Sequence, residues 1–368
     1  LAVRGGEAGM TVKRILVVAV LAAAVAFPHF AGYTLSSIAI TALLWAYLAS
    51  AWNFTFGYLG RTSLGHGAFY GLGAYTTVML ASKFGVTPWI GMWVGAVVAG
   101  LAGLLLGAVT LRYKVRGVYF ALTTMAAAEL LRALFNSWNW VGGPMGLLVS
   151  PLPDPANFVF ASETSYYYVA LAMVLGVYLL NRLLWKTRIG LEAFAIRENE
   201  DAAEAAGINV KGVSLFFVTL SAALSALGGT FYAQYMLYIH PDIMFSFEPT
   251  LHMMLGSIIG GPSTQLGPIL GSLLVSGVDA AFRTLFTGSS MVAIARVMYG
   301  LVLVVIMVRL PDGLLGTWEL NRRRRIGAQA AAKAAAQATA RAAAGAAGAA
   351  EAAEATAKEV RPDGTVAG

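Results

Sequence analysis

The sequence contains no cysteine, which excludes disulfides and thiolate chemistry. Charge is scarce too: 12% of the residues are Asp, Glu, Lys or Arg, about half the share of a soluble domain. No G-x-x-x-x-G-K-[ST] run occurs, so the chain offers ATP no P-loop. H-E-x-x-H and G-x-S-x-G are absent, and the four histidines, His29, His66, His240 and His252, are scattered. "GLGAYT" at 71–76 lacks the third glycine of a dinucleotide fingerprint. An enzymatic reading therefore has no catalytic residue and no metal-ligand set to stand on.

What the chain has is apolar surface. Its 368 residues are 58% hydrophobic, with a mean hydropathy of +0.70. A bilayer core takes roughly 20 apolar residues per helix. Clear runs cover Ile15–Ala31, Leu35–Phe54, Trp89–Leu111, Val118–Phe135, Tyr166–Trp185, Val213–Met236 and Met291–Val308. Less clean ones cover Leu64–Ser82, Phe247–Ile259 and Leu266–Phe286. Backbone polar groups in lipid must pair within their own segment, so these runs predict an all-α integral membrane protein of about 8–10 transmembrane helices. Residues 15–31 read either as a retained first helix or as a cleaved signal. Met10 is a natural start, which would make residues 1–9 a mis-assigned leader within an N-terminal segment 1–13.

The net charge of +7 does not point to nucleic acid, because the basic residues flank apolar runs as topology determinants do. The clusters are Lys13–Arg14, Arg112–Lys114–Arg116, Arg182–Lys186–Arg188 and Arg322 through Arg325. Ten spans with both termini cytoplasmic put all four on the cytoplasmic side. Trp89, Trp93, Trp138 and Trp140 then anchor the outer interface, Trp185 and Trp318 the inner one. The permease domain is read as 14–312 and is followed at 313–368 by a basic, alanine-rich tail with no apolar stripe to bury.

Three kinds of residue stand out within the spans. Gly91, Gly95, Ala99, Gly103 and Gly107 recur every four residues, a small face for close helix packing. Residues 53–80 and 247–274 mix apolar residues with glycine, hydroxyls and, in the second, three prolines. Such interrupted helices mark either a transport pathway or close packing. The candidate pathway residues are Ser63, Gly65, His66, Gly67, Phe69, Tyr70, Gly71, Gly73 and Tyr75. Glu129 and Arg132 share one helix face, Asp279 and Arg283 another, and each acid has a base within a turn, which predicts internal ion pairs rather than a proton relay. Arg296 falls in the last span.

"AIRENEDAAEAAGINVKG", 195–212, concentrates acidic and small residues between two apolar runs and includes a glycine that can end a helix. Read alone, it is either a solvated connection or a helix lying at the membrane face.

Several of these stretches together resemble the membrane permeases of branched-chain amino-acid ABC importers, and within them the M-type subunit. They are "GRTSLGHGAFYGLGAY" (60–75), "VRGVYFALTTMAAAELLRALFNSWNWVGGPMGL" (115–147), "TRIGLEAFAIRENEDAAEAAGINV" (187–210) and "IGGPSTQLGPILGSLL" (259–274). The resemblance extends over about residues 35–312. The family commonly reads Gly-Gly-x-Gly-Thr where this chain has Gly260–Gly261–Pro262–Ser263–Thr264. The paired H-type subunit usually lacks the long loop ending in a turn like Gly142–Gly146.

The resemblance implies a multi-pass protein of the bacterial plasma (inner) membrane, with a second H-type permease, two ABC ATPases and a periplasmic or extracellular binding protein as partners. Mg-ATP would sit on those ATPases and not on this chain. ABC importer permeases are alike in a cytoplasmic loop patterned Glu-Ala-Ala-x-x-x-Gly. Asp201, Ala202, Ala203 and Gly207 match it here with Asp for Glu, and Arg197, Glu198 and Glu200 would form the charged rim of an ATPase-docking loop at 186–212. Permeases for urea, amides and aromatic acids are similar, and a stand-alone secondary transporter is the other class to separate.

Overall fold

The computed structural model describes Ala19, residues 22–149, 153–262 and 264–285, and scattered positions between 297 and 317. The chain divides into two units, Leu1–Gly316 and Thr317–Gly368, and every element below belongs to the first. The apolar run at 291–308, Arg296 and the tail lie largely outside the described residues.

The apolar runs are helices whose ends are written in local sequence. α1 covers Tyr33–Leu59 and stops at Gly60, which takes the left-handed φ of 68°. α2 covers His66–Phe84, and α3, Pro88–Arg112, starts with proline in its first turn, where a missing N–H costs nothing. α4 covers Val118–Ser137 and α5 Glu163–Leu184, the latter capped by Ser162. α6, Arg188–Glu198, and α7, Glu200–Ala205, form the loop before α8, Val210–Met236. A short α9, Pro241–Met244, leads into α10, Phe247–Gly260, and α11, Gly267–Leu285. The one small sheet among the described residues pairs β1, Leu147–Leu148, with β2, Tyr238–Ile239, antiparallel.

α1, α3, α4, α5 and α8 are long and apolar enough to cross a membrane. At 27 residues α1 extends about 40 Å. α1 is the hub, touching α5, α8, α10 and α11, while α2, α3 and α8 pack mutually on another side. The helix interruptions fall at 60–65 and 261–266, whereas the glycines inside α2 lie in unbroken helix.

Small residues set the spacing. A Cβ on Gly229 of α8 would strike the Tyr70 carbonyl, and one on Gly73 of α2 the Ala226 carbonyl. The α3 stripe turns the same way: Gly91 and Gly95 lie on α2, and Gly103 and Gly107 on α8. Lipid gives no hydrophobic drive between helices, so dispersion across these contacts and interhelical hydrogen bonds hold the bundle. The bonds include Thr77 to Thr230 at 2.8 Å, Ser257 to Asn53 at 2.8 Å and Tyr58 to Asn181 at 2.6 Å. Each is worth about 0.6 kcal/mol on average.

The two ends of the bundle differ. One gathers Arg61, Arg116, Arg197 and the α6–α7 loop. The other carries the loop 138–162, where Trp89 stacks on Phe158 at 4.2 Å and donates to the Pro155 carbonyl.

Candidate docking loop and translocation site

The loop between α5 and α8 is two helices because Asn199 leaves helical geometry between them. It is extended, with φ −159°, and its side chain accepts from Ala202 N–H at 3.0 Å, capping α7. Glu200 and Asp201 follow in the first turn, where the helix dipole favours anions. α7 ends at Gly207, φ +85°, with Ile208 N–H bonded to the Ala203 carbonyl at 3.1 Å. That six-residue closure needs a left-handed residue, and Gly207 has open space around it, so backbone angle alone selects glycine.

Of the charges expected at the rim, Arg197 and Glu200 contact the bundle, as does Asp201, while Glu198 is exposed. Arg197 donates to the Gly57 carbonyl at 2.7 Å, at the end of α1. Glu200 takes Arg61 at 3.0 Å and Arg116 at 3.3 Å, and Asp201 takes Arg116 at 2.9 Å. Arg61 is only 6% exposed. Burial pulls its guanidinium below the ordinary value, and Glu200 opposes this. The hydrogen bond from Arg116 holds the Asp201 carboxyl below the usual range. Ala203 is buried against the bundle, while Glu198, Ala202, Glu204, Ala205, Ala206 and Gly207 face outward. Arg61 and Arg116 were not singled out from sequence as partners. The signal for them was complementary charge on loops of one end.

The nine residues expected along a pathway, Ser63 to Tyr75, are brought together and all buried within the chain. His66 joins three helices: Nδ1 meets Ser63 Oγ at 2.8 Å, Nε2 meets Ser221 Oγ at 2.7 Å, and Ser221 donates to the Ala51 carbonyl at 2.7 Å. Gly67 N–H donates to Thr250 Oγ1 at 2.8 Å. Gly71 receives the Phe245 ring, which also stacks on Tyr75 at 5.5 Å between centroids. Within this chain the small face of α2 is filled by the segment joining α9 to α10.

Glu129 meets Arg132 and Asp279 meets Arg283 as expected, but neither pair is internal to this chain, since the Arg132 side chain is only half-buried and that of Arg283 is exposed, and the first pair is larger than the sequence suggested. Arg132 contacts Glu129 at 2.8 Å and also Asp242 of α9 at 2.9 Å, which takes Asn136 at 2.9 Å. Asp242 is held low, first by Asn136 and then by Arg132. Arg283 donates to Asp279 at 2.8 Å. That pair lines a cavity between α1, α8, α10 and α11 with Glu248, His252 and Trp45, which sequence reasoning did not single out. Among the described residues no group of three or more His, Cys, Asp or Glu is arranged to hold a metal ion.

Membrane-crossing helices packed on small-residue faces, a cavity lined by charged groups and a two-helix loop clamped across one end define a multi-pass membrane permease. The chain belongs to the family described as branched-chain amino acid transport system / permease component, whose profile matches residues 34–307. It is 29% identical to the high-affinity branched-chain amino acid transport system permease protein LivM of Escherichia coli K12, over 87% of this chain and 79% of that one. It is also 29% identical to LivM of Salmonella typhimurium, over 83% and 76%. To the Salmonella typhimurium LivH permease it is 22% identical, over 80% and 96%. No solved structure matches it.

Proposed function

We propose that this chain is the M-type permease of a binding-protein-dependent ABC importer for branched-chain amino acids. Its partners are an H-type permease, two ATPases that carry Mg-ATP, and a soluble receptor. The carrying observation is the family match over residues 34–307, and the helical loop clamped to the bundle by Arg61, Arg116 and Arg197 supports it. In this reading α7 docks on an ATPase through Ala202, Ala205, Ala206 and Gly207, with Glu198 and Glu204 at the rim. Arg197, Glu200 and Asp201 pass the movement of α7 to the α1–α2 link. The basic end is cytoplasmic, as is usual for loops rich in Lys and Arg, and the membrane is the bacterial plasma membrane. The permease domain covers 14–312, and 313–368 is an appended tail.

The test is reconstitution of this chain with the H-type permease, ATPases and receptor in proteoliposomes. Leucine uptake should require ATP outside and receptor inside when the docking loop faces outward. Uptake driven by an ion gradient without the ATPases would replace this reading with a secondary transporter. Uptake of urea, amides or aromatic acids in place of leucine would change the substrate.

A further inference from the structure

The bundle has faces of different polarity. Along α3 the exposed residues include Trp93, Val97, Leu101, Leu104 and Leu105, a surface suited to acyl chains. The face formed by α1, α8, α10 and α11 instead presents Glu248, Asp279 and Arg283. Charged groups at membrane depth face water or protein rather than lipid.

A cavity of about 500 Å³ opens on that face, within the usual range of small-molecule sites. It reaches inward along α1 as far as Trp45, about 18 Å from Tyr33 at 1.5 Å per residue, on the side away from the docking loop. Trp45 and His252 stack at 4.6 Å with planes 22° apart, fixing one wall. Ile38, Met236 and Val275 supply apolar surface beside them. Glu248, His252, Asp279 and Arg283 all line this cavity, so the three charges face one space. Arg283 uses Nε on Asp279. Its two terminal nitrogens make no hydrogen bond among the described residues, and the Glu248 carboxylate makes neither a hydrogen bond nor an ion pair there.

We propose that this cavity is a binding station for a zwitterionic α-amino acid with an apolar side chain. The terminal nitrogens of Arg283 take the carboxylate in fork geometry, Glu248 with Asp279 takes the ammonium, and Trp45, Ile38, Met236 and Val275 take the side chain. The assignment rests on the import reading above and adds where in the permease the substrate pauses. An acid and a base on one wall, with an apolar wall between α1 and α11, match the three parts of such a solute. None of the residues in this set belongs to α2, the segment favoured from sequence.

The whole importer in proteoliposomes, carrying Ser276→Cys on the cavity wall of this chain, tests it. The chain has no other cysteine, so the partners are used in cysteine-free form. Without receptor, an aqueous thiol reagent should label the cysteine, and L-leucine should slow labelling. 4-Methylpentanoate, which lacks the ammonium, and isoamylamine, which lacks the carboxylate, should not. Glu248→Gln and Arg283→Gln should each abolish protection and lower leucine uptake about tenfold, the loss of one charge-assisted contact, while receptor-stimulated ATP hydrolysis continues. Failure to label, or labelling indifferent to leucine in a complex that imports leucine, overturns the station and leaves the import reading intact. Equal protection by all three compounds overturns zwitterion recognition. A wild-type complex that does not import leucine overturns the import reading itself.

Discussion

Arg61 and Glu200 show what a single buried charge demands. They lie 139 positions apart in sequence, yet Arg61 is 6% exposed and its carboxylate partner is Glu200. Removing one partner of a buried pair leaves the other desolvated and costs about 3–5 kcal/mol in buried cases. The two deletions are not equivalent here. Arg61→Ala leaves Glu200 with Arg116, whereas Glu200→Ala leaves Arg61 without its carboxylate. Glu200→Ala should therefore lower the melting temperature of the purified complex more than Arg61→Ala, and equal losses would mean that the pair is incidental. Asp201, with its carboxyl held low by Arg116, contributes to the clamp fully above the ordinary carboxylate pKa. That contribution is lost only as pH falls through the lowered value. Coupling between ATP hydrolysis and uptake should be flat from about pH 5 to 8 as far as this clamp is concerned, and a midpoint in that window that disappears in Asp201→Asn would contradict the assignment.

At the scale of elements, two helices illustrate why position outweighs residue type. Gly229 in α8 sits on the Tyr70 carbonyl, while Gly176 in α5 has open space. Gly229→Ala should block stable folding. Gly176→Ala should be neutral or stabilising by up to about 1 kcal/mol through helix propensity. Expression yield and thermal melting in detergent separate the two. On α7, Ala205→Trp should stop co-purification of the ATPases without affecting membrane insertion, because that position faces out. Ala203→Glu places a charge against the bundle and should damage the loop itself, visible as proteolysis between α6 and α8. Wild-type ATPase yield with Ala205→Trp would place docking on another surface. The Glu129–Arg132–Asp242 cluster also acts as an element. Arg132→Ala leaves two carboxylates facing each other, so it should destabilise more than Glu129→Ala/Arg132→Ala, which leaves Asp242 only with Asn136 and His240.

At the scale of the whole molecule, the prediction concerns sides and faces. With the basic end in the cytoplasm, Glu204→Cys should react with impermeant reagent only from that side and Asn157→Cys only from the other. Reaction from the same side for both would invert or break the topology. Spin labels at Leu101 and Leu105 should be relaxed by oxygen dissolved in lipid, and one at Ser276 by an aqueous nickel chelate. A lipid-like signal at Ser276 would make the charged face a membrane surface, contrary to the cost of charge in hydrocarbon.

The sequence by itself determined that the runs of α1, α3, α4, α5 and α8 are long apolar helices, and that a charged, helix-forming segment separates α5 from α8. Lipid forbids unpaired backbone, so an apolar run such as Pro88–Arg112 has one solution whatever surrounds it. Gly207 was legible for a similar reason, since its left-handed angle belongs to the chain ending at α7. The pairs Glu129–Arg132 and Asp279–Arg283 were legible because residues three or four apart share a helix face. What covers a face was not legible. The small stripe of α2 reads equally as a lining or a seat, and only the tertiary structure fills it with Phe245. Likewise the sequence offered Arg61, Glu200, Asp242, Glu248 and Trp45 as unrelated residues. Periodicity reports which side chains point together along one helix, but partners contributed by distant helices are fixed by how those helices pack, through close approaches such as Gly229 on Tyr70.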